Sequence, residues 1–280
     1  GQEGLELAYD EWLRGADGAK RVLKDGRHHV IADVEMIRPA KPGKDLQLSI
    51  DRRIQYQAYR ELKRAVQRHR ASSGSVVVLD SVTGEVLAMV NQPSFNPNNR
   101  HAIEAGAVRN RAVTDVLEPG STMKPFTIAA ALQSGRYERD STINTAPGYY
   151  RVGGNTVRDE HDNGRLDLTG IIRKSSNVGA SKIALSLDPR QLWQVYSGAG
   201  FGSSVGTGFP GEVSGVLASH HRWAKIEQAT LAFGYGISVT PLQLARAYAM
   251  LANDGRLLPV SFLRRDEAPR AETVLAPRVV

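Results

Sequence analysis

A β-hairpin pattern surrounded by helical patterns constrains the fold of this chain most strongly. Two apolar, β-rich runs, GSVVVLD at 74–80 and EVLAMV at 85–90, flank a Ser-Val-Thr-Gly turn. Short apolar runs separated by a turn are typical of paired antiparallel strands. Asp51 can cap a helix with apolar residues at helical spacing, and a capping box with proline at the first helical position begins at Thr240. A hairpin with several helices around it predicts an α+β fold.

The composition excludes several kinds of chemistry. The 280 residues are 41% hydrophobic and 23% charged, so the chain can bury a sizeable core and intrinsic disorder is not expected. Cysteine is absent, which excludes disulfides, cysteine nucleophiles and thiolate metal sites. The net charge of +7 would suit an anionic partner, but no zinc-finger spacing or aromatic-rich basic repeat indicates nucleic-acid binding. No apolar run is long enough to cross a bilayer.

A serine followed three positions later by a lysine carries the main chemical hypothesis. Ser121 and Lys124 form the single Ser-x-x-Lys of the sequence, after a Pro-Gly break and before a run of small apolar residues. Positions i and i+3 share a helix face, so the amine can reach the hydroxyl. Lysine can activate a serine only when burial or a nearby positive charge lowers its pKa. Because chance predicts about 0.6 such patterns in a chain of this composition, a capped core helix with a surface lysine is an equally good interpretation of this segment alone.

Two Ser-x-Asn patterns are candidates for a second part of the site. Ser175 and Asn177 lie at a break between two helical stretches, whereas Ser94 and Asn96 are enclosed by prolines and are best interpreted as a turn. A serine and an asparagine at a helix break could relay a proton and bind a substrate amide, because the asparagine side chain both donates and accepts hydrogen bonds.

Two further patterns suggest other functions but lack the structural setting that those functions need. Residues 206–211 match the dinucleotide fingerprint G-x-G-x-x-G, but no strand precedes them and Pro210 interrupts the turn. Ser204 lies in a G-x-S-x-G pattern, but the sequence TGFPGE follows in place of a helix, and no aspartate separates Ser204 from His220.

Several long blocks resemble the successive signatures of class B penicillin-binding proteins. They are, in chain order, GSVVVLDSVTGEVLAMVNQPSFNPNNR, RNRAVTDVLEPGS, EPGSTMKPF, KSSNVGASKIAL, GFPGE and LAFGYGISVTPLQLARAYAMLANDG. Their order and wording are most similar to the division-specific enzymes known as penicillin-binding protein 3. The resemblance covers nearly the whole chain. It implies the penicillin-recognising serine transpeptidase fold, a sheet flanked by helices, with Ser121 at the start of a buried helix.

The resemblance also implies a function. The family's enzymes are D,D-transpeptidases that cross-link peptidoglycan stem peptides through a serine acyl-enzyme, here during septal cell-wall synthesis, and β-lactams acylate the same serine. The expected partners are stem peptides, β-lactam antibiotics and membrane proteins of the division machinery. No nucleic acid, cofactor or metal ion is expected. The alternatives are a β-lactam sensor, a hydrolase of the β-lactamase type, an inactive penicillin-binding relative and a structural, non-enzymatic scaffold.

Residue roles follow from the same resemblance. It implies that Ser121 is the nucleophile, Lys124 its base, Ser175 the proton relay and Asn177 the residue that holds the substrate amide. The Ser121 backbone N–H would be one of two oxyanion donors. The expected substrate contacts, in cleft-lining segments of the family, are Glu118, Phe233 and Tyr235.

One signature of the family has no match. Neither Lys-Thr-Gly nor Lys-Ser-Gly occurs, so we expect the C-terminal strands of the fold to be missing from this chain and the parent enzyme, not this fragment, to be active. The expected domains are the tail of the non-catalytic N-terminal module at 1–45 and the penicillin-binding transpeptidase domain, incomplete at its C-terminus, at 46–280. An anchor in a segment outside this chain would place the enzyme on the periplasmic face of the bacterial inner membrane.

Overall fold

The computed structural model describes residues 1–99 and 106–280, and these form two units. The first unit comprises Gly1–Leu48 and Gly208–Pro210. Its elements are two short helices and one antiparallel hairpin, namely α1 (Gly4–Ala8), α2 (Asp10–Leu13), β1 (Ala19–Lys24) and β2 (Val30–Arg38). Apolar side chains on both faces of β2, such as Ile31 and Met36, are exposed.

The second unit comprises Ser49–Thr207 and Gly211–Val280. Its α-helices are α3 (Arg52–His69), α4 (Arg111–Thr114), α5 (Lys124–Gln133), α6 (Leu168–Arg173), α7 (Asn177–Ser186), α8 (Pro189–Gly198), α9 (Lys225–Leu231) and α10 (Pro241–Ala252). Its strands are β3 (Gly74–Leu79), β4 (Val86–Gln92), β5 (Thr142–Asn144), β6 (Tyr149–Val152), β7 (Asn155–Arg158), β8 (Arg165–Asp167), β9 (Arg256–Leu257) and β10 (Glu272–Thr273). The pairs β3–β4, β5–β8, β6–β7 and β9–β10 are all antiparallel.

The predicted hairpin is present as β3 and β4, and it contacts a helix on either side. α3 packs against β4 and α10 packs against β3. Asp51 caps α3, because its carboxylate accepts a hydrogen bond of 2.8 Å from the Arg53 backbone N–H. One turn later, the Gln55 side-chain amide donates to the Met89 carbonyl and accepts from the Met89 N–H, at 2.9 and 2.8 Å. The hairpin and the Asp51 cap are therefore confirmed.

The core of the second unit surrounds α5. This helix is apolar on all sides, which is typical of a buried helix, and its residues from Phe126 to Ala131 are buried. The Phe126 ring meets Phe201 and Tyr248 edge-on, with centroids 5.2 and 5.4 Å apart. The fully buried Tyr196 hydroxyl pairs with Thr127 Oγ1 at 2.7 Å. The predicted buried helix is confirmed, and its packing holds the segment that begins at Ser121.

The sequence predicts the capping box at Thr240 but not the short strands within residues 135–165. The predicted capping box at Thr240 is confirmed, because its side chain accepts from the Gln243 N–H while Gln243 Oε1 accepts from the Thr240 N–H. Residues 135–165, which are polar and turn-rich in sequence, contain the strands β5, β6 and β7, with β8 beginning at their end. Strands of three or four residues are too short to show a period-two pattern.

A close backbone contact joins the Ser121 segment to the loop after α9. The Gly120 N–H donates to the Gly234 carbonyl at 3.2 Å. Gly234 has φ +84°, and a Cβ there would overlap the Gly120 carbonyl oxygen. A side chain at this position would therefore push Gly120, and with it Ser121, out of place.

We expect Gly234→Ala to reduce the free energy of unfolding by about 1–3 kcal/mol more than Gly153→Ala does. Gly153 also has a positive φ, +62°, but a Cβ added there would meet nothing within 4 Å, so this control carries the conformational cost without the clash. Urea unfolding of the two variants measures the difference. Equal losses of stability would contradict the close contact.

Candidate active site

Ser121 lies in a 3₁₀ turn and not in the first turn of the α-helix. The turn spans Gly120–Met123, and α5 begins at Lys124. The carbonyl of Ser121 would normally accept from the N–H four residues later, but that residue is Pro125, which has none. The Lys124 N–H bonds to the Ser121 carbonyl instead, which gives the i to i+3 pattern of a 3₁₀ turn. This tighter turn places the Lys124 side chain beside Ser121.

The Lys124 amine contacts the other three residues that the sequence analysis predicts to be catalytic. The side chain is buried, with 1% of the residue exposed. Its Nζ lies 2.8 Å from Ser121 Oγ, 2.9 Å from Ser175 Oγ and 2.8 Å from Asn177 Oδ1. The Ser175 carbonyl oxygen lies 2.7 Å away, and the Ser175 hydroxyl donates to Ser121 Oγ at 3.0 Å. The structure therefore brings Ser121 and Ser175 together across 54 positions of sequence.

Burial lowers the pKa of the Lys124 amine toward neutral pH. Desolvation lowers the pKa of Lys124 from 10.5 to about 8, and the negative charge of Asp159 opposes that shift in part. An ammonium has three N–H groups, so it can donate to at most three of the four surrounding oxygens at once. The neutral amine has a lone pair that can accept the Ser121 proton. The amine can therefore exchange a proton with the serine near neutral pH.

The backbone between α6 and α7 presents Ser175 and Asn177 to this amine. Ser175 has φ +54°, a left-handed conformation that is uncommon for a residue with a side chain. The following residue, Ser176, caps α7 by accepting from the Gly179 N–H at 2.9 Å. Asn177 donates from Nδ2 to the Arg158 carbonyl at 3.1 Å, which orients its Oδ1 toward Lys124. The helix break predicted at these residues is confirmed.

Asp159 supports this arrangement and was not found from the sequence. Its carboxylate accepts from the Ser176 hydroxyl at 2.6 Å and from the Val178 N–H at 2.9 Å. It thus holds the start of α7 in place with two hydrogen bonds, one of them from the fully buried Ser176. In the sequence Asp159 is one of several acidic residues in a polar segment, and no local spacing relates it to Ser175.

The three predicted substrate contacts lie close to the Ser121 segment but differ in accessibility. Glu118 Oε1 accepts from the Gly236 N–H at 3.0 Å, so its carboxylate holds the loop that contains the two aromatic residues. The rings of Phe233 and Tyr235 meet edge-on, with centroids 5.7 Å apart. Phe233 is 8% exposed and Tyr235 is 53% exposed. Of the two aromatic residues, Tyr235 therefore presents the more accessible surface to a bound molecule.

The competing serine patterns have no comparable surroundings. Ser204 lies in a loop with no helix after it, and its hydroxyl donates to Glu212 at 2.6 Å. The strand–turn–helix setting of a nucleophile elbow is thus absent there. Ser94, also outside any helix or strand, donates to the Tyr59 hydroxyl at 3.3 Å. Residues 206–211, the fingerprint-like segment, contain neither strand nor helix.

A cavity of about 490 Å³ opens beside Ser121. Its walls come from the 3₁₀ turn, the β7–β8 connection and the break before α7, and its lining includes Ser121, Ser175 and Asn177. A group bound in this cavity can reach the Ser121 hydroxyl. Within residues 1–99 and 106–280, no group of three or more His, Asp or Glu side chains could hold a metal ion. No helix in the same part of the chain is long and apolar enough to cross a membrane.

Comparison with protein families identifies the family of the chain. Residues 74–280 match the family described as the penicillin binding protein transpeptidase domain. The chain belongs to the penicillin-binding protein transpeptidase family. Residues 1–48 match the penicillin-binding protein dimerisation domain.

Curated members of this transpeptidase family match almost the whole chain. The probable peptidoglycan D,D-transpeptidase PenA of Neisseria flavescens is 50% identical over 277 residues, which are 98% of this chain and 69% of that protein. The peptidoglycan D,D-transpeptidase FtsI of Escherichia coli K12 is 45% identical over 280 residues, which are 100% of this chain and 47% of that protein. The chain thus spans about half the length of the E. coli protein.

A solved member of the transpeptidase family shares the fold. The apo structure of the TP domain from Burkholderia pseudomallei penicillin-binding protein 3 matches with a TM-score of 0.77 and 41% identity, over 85% of this chain and 68% of that one. The family, the α+β transpeptidase fold and the enzyme class predicted from the sequence are therefore confirmed. The names of the relatives do not favour the β-lactam sensor or the inactive relative.

We expect Asp159→Asn to lower the free energy of unfolding by about 1–3 kcal/mol, because an amide has a single acceptor oxygen for the two donors, Ser176 and Val178. Asp140→Asn is the matched control: Asp140 is exposed and has no hydrogen bond or ion pair in the described part of the chain. Thermal unfolding of both variants measures the effect. A loss no larger than that of the control would show that the Asp159 bonds contribute little.

Proposed function

We propose that Ser121 is the acylated nucleophile of a peptidoglycan D,D-transpeptidase whose substrates are stem peptides ending in D-Ala-D-Ala. The contact of 2.8 Å between Ser121 Oγ and the buried Lys124 Nζ is the observation that carries the proposal. A serine beside a lysine whose pKa is lowered to about 8 is an activated nucleophile. β-Lactams would acylate the same oxygen, because they mimic the D-Ala-D-Ala end.

In the acylation step, the proton that Ser121 loses is passed on to the leaving amine. Neutral Lys124 accepts the Ser121 proton while Oγ attacks the carbonyl of the penultimate D-Ala. The new C–O bond forms and the C–N bond to the terminal D-Ala breaks. Ser175, which contacts both Lys124 Nζ and Ser121 Oγ, passes the proton to the departing amine. In the second step an amine of another stem peptide attacks the ester carbonyl. The new amide C–N bond forms, the C–O bond to Ser121 Oγ breaks, and the proton lost by the attacking amine passes to Ser121 Oγ.

Groups around the two serines would bind and orient the substrate. The Ser121 N–H lies in the first turn of a 3₁₀ segment, where backbone N–H groups have no partner within the helix, and we assign it as one of the oxyanion donors. Asn177 would hold the substrate amide. Glu118 would act indirectly, because its carboxylate accepts a hydrogen bond from the Gly236 N–H and so holds the loop. The exposed Tyr235 ring would contact the substrate, together with the edge of the Phe233 ring.

The organisation and setting of the enzyme are part of the same proposal. Residues 1–45 would be the tail of a non-catalytic N-terminal module and residues 46–280 the transpeptidase domain; the family matches at 1–48 and 74–280 support that division. The FtsI name of relatives supports a role in septal cell-wall synthesis with division-machinery membrane proteins as partners. The enzyme would act at the periplasmic face of the inner membrane, where peptidoglycan is cross-linked.

We expect the full-length protein to be labelled stoichiometrically by a fluorescent penicillin, and we expect Ser121→Ala to abolish the labelling. Lys124→Ala should lower the labelling rate by about 10²-fold or more, because the serine loses its base. Ser204→Ala is the matched control, since its serine lies outside the site and should label like the wild type. Gel fluorescence against time measures all three. Labelling that persists in Ser121→Ala and disappears in Ser204→Ala would refute the assignment.

The pH dependence of labelling should follow the Lys124 pKa. Because the base must be neutral, the rate should rise with pH through a midpoint near the pKa of about 8 and level off above it. The Asp159 carboxylate raises the Lys124 pKa, so Asp159→Asn should move the midpoint to lower pH. Stopped-flow labelling over a pH series measures both midpoints. A rate that falls with rising pH through this range would contradict a neutral lysine base.

A further inference from the structure

The cavity beside Ser121 carries positive charge that the protein itself does not neutralise. Its lining residues include Arg158, Arg173 and Lys174, all of them exposed. Within residues 1–99 and 106–280, the three cavity cations have neither an ion pair nor a side-chain hydrogen bond. They are therefore available to a ligand.

Arg158 is held in position for such a role. It lies at the end of β7 and pairs with Tyr149 across the β6–β7 hairpin. Its guanidinium carbon lies 6.0 Å from the centroid of the Tyr149 ring, and this cation–π contact uses none of the guanidinium N–H groups as hydrogen-bond donors. Its carbonyl accepts a hydrogen bond from the Asn177 side-chain amide, so the backbone of Arg158 contacts the site directly.

Arg173 and Lys174 reach the same cavity from the break before Ser175. They end α6, and the negative end of a helix dipole favours cations, which explains why basic residues are found there. The dipole does not explain why both residues line the cavity that contains Ser121. Lys174 directly precedes Ser175, so its backbone position is determined by the same turn that positions the proposed relay.

The anionic side chains of the cavity do not cancel these cations. Asp159 and Glu160 are the carboxylates in its lining. Asp159 already accepts hydrogen bonds from Ser176 and Val178. Glu160 is exposed and forms no ion pair with any other residue that the structure describes. Three cations therefore face two carboxylates, of which one is engaged with the start of α7.

We propose that Arg158, Arg173 and Lys174 form a subsite that binds a carboxylate carried by the peptide substrate, in addition to the peptide's terminal carboxylate. The subsite rests on the proposed function, because it specifies the substrate of that same cavity. A carboxylate matches the fork of free guanidinium N–H groups on Arg158, and the two neighbouring cations add attraction without a fixed geometry. Carboxylate-bearing peptides would thus be selected over their amidated counterparts, whether the group belongs to the acyl donor or to the acceptor amine.

The experiment measures D-alanine release by the full-length protein with matched peptides. In the first arm, two donors ending in D-Ala-D-Ala differ only in an upstream glutamate or glutamine, with a common acceptor amine. In the second arm, the donor is common and the acceptor carries a carboxylate or its carboxamide. The rate ratio of carboxylate to carboxamide is compared between the wild type and the triple variant Arg158→Gln/Arg173→Gln/Lys174→Gln. We expect the ratio to fall about fivefold in at least one arm, and that arm identifies the source of the carboxylate.

A second triple variant separates the subsite from the overall charge of the protein. Arg139→Gln/Arg190→Gln/Lys225→Gln removes the same number of exposed charges outside the cavity and should leave the ratio at its wild-type value. The proposal is overturned if both arms give the same ratio in wild type and cavity variant, or if the control lowers the ratio equally. If the cavity triple variant does not fold, the three single variants are compared in the same assay.

End-point labelling of Ser121 by a fluorescent penicillin tests the proposed function separately. A wild-type protein that labels normally but does not discriminate between carboxylate and carboxamide peptides would refute the subsite alone. A wild-type protein that does not label at Ser121 would refute the proposed function, and with it the subsite.

Discussion

The buried Lys124 amine is the interaction on which the rest of the site depends. Removing a charged amine from water is costly unless polar groups surround it, and here oxygens from Ser121, Ser175 and Asn177 do so. The same burial lowers the Lys124 pKa to about 8. The packing that buries the amine therefore has two effects. It brings Ser121 and Ser175 together around the amine, and it lowers the pKa so that the amine can accept a proton.

Two contacts outside the amine hold the two sides of the site. On one side, the close approach of Gly120 and Gly234 links the 3₁₀ turn to the loop after α9. On the other side, Asp159 holds the start of α7 through Ser176 and Val178. Both contacts use backbone groups, so small changes of the backbone would move the serines relative to the lysine. Both Ser121 and Asp159 line the cavity, and its cations come from the same two segments as Asp159 and Ser175.

Features with a local cause were predictable from the sequence. The β3–β4 hairpin, the Asp51 cap and the Thr240 capping box depend on residues within a few positions of one another, and all three are confirmed. The short strands between α5 and α6 were not predicted, because strands of three or four residues are too short to show a recognisable period. The helix was expected to open at Ser121, whereas the missing N–H of Pro125 delays it to Lys124.

The sequence by itself determined the family, because the order of long blocks is specific where Ser-x-x-Lys alone is not, and it named the residues that meet at the amine. Only the tertiary structure decided that Ser121, Lys124 and Ser175 are within 3.0 Å of one another, that Lys124 is buried, and that Asp159 and Arg158 belong to the same site. The physical reason is that burial and pKa depend on which distant segments pack together. No spacing along the chain contains that information.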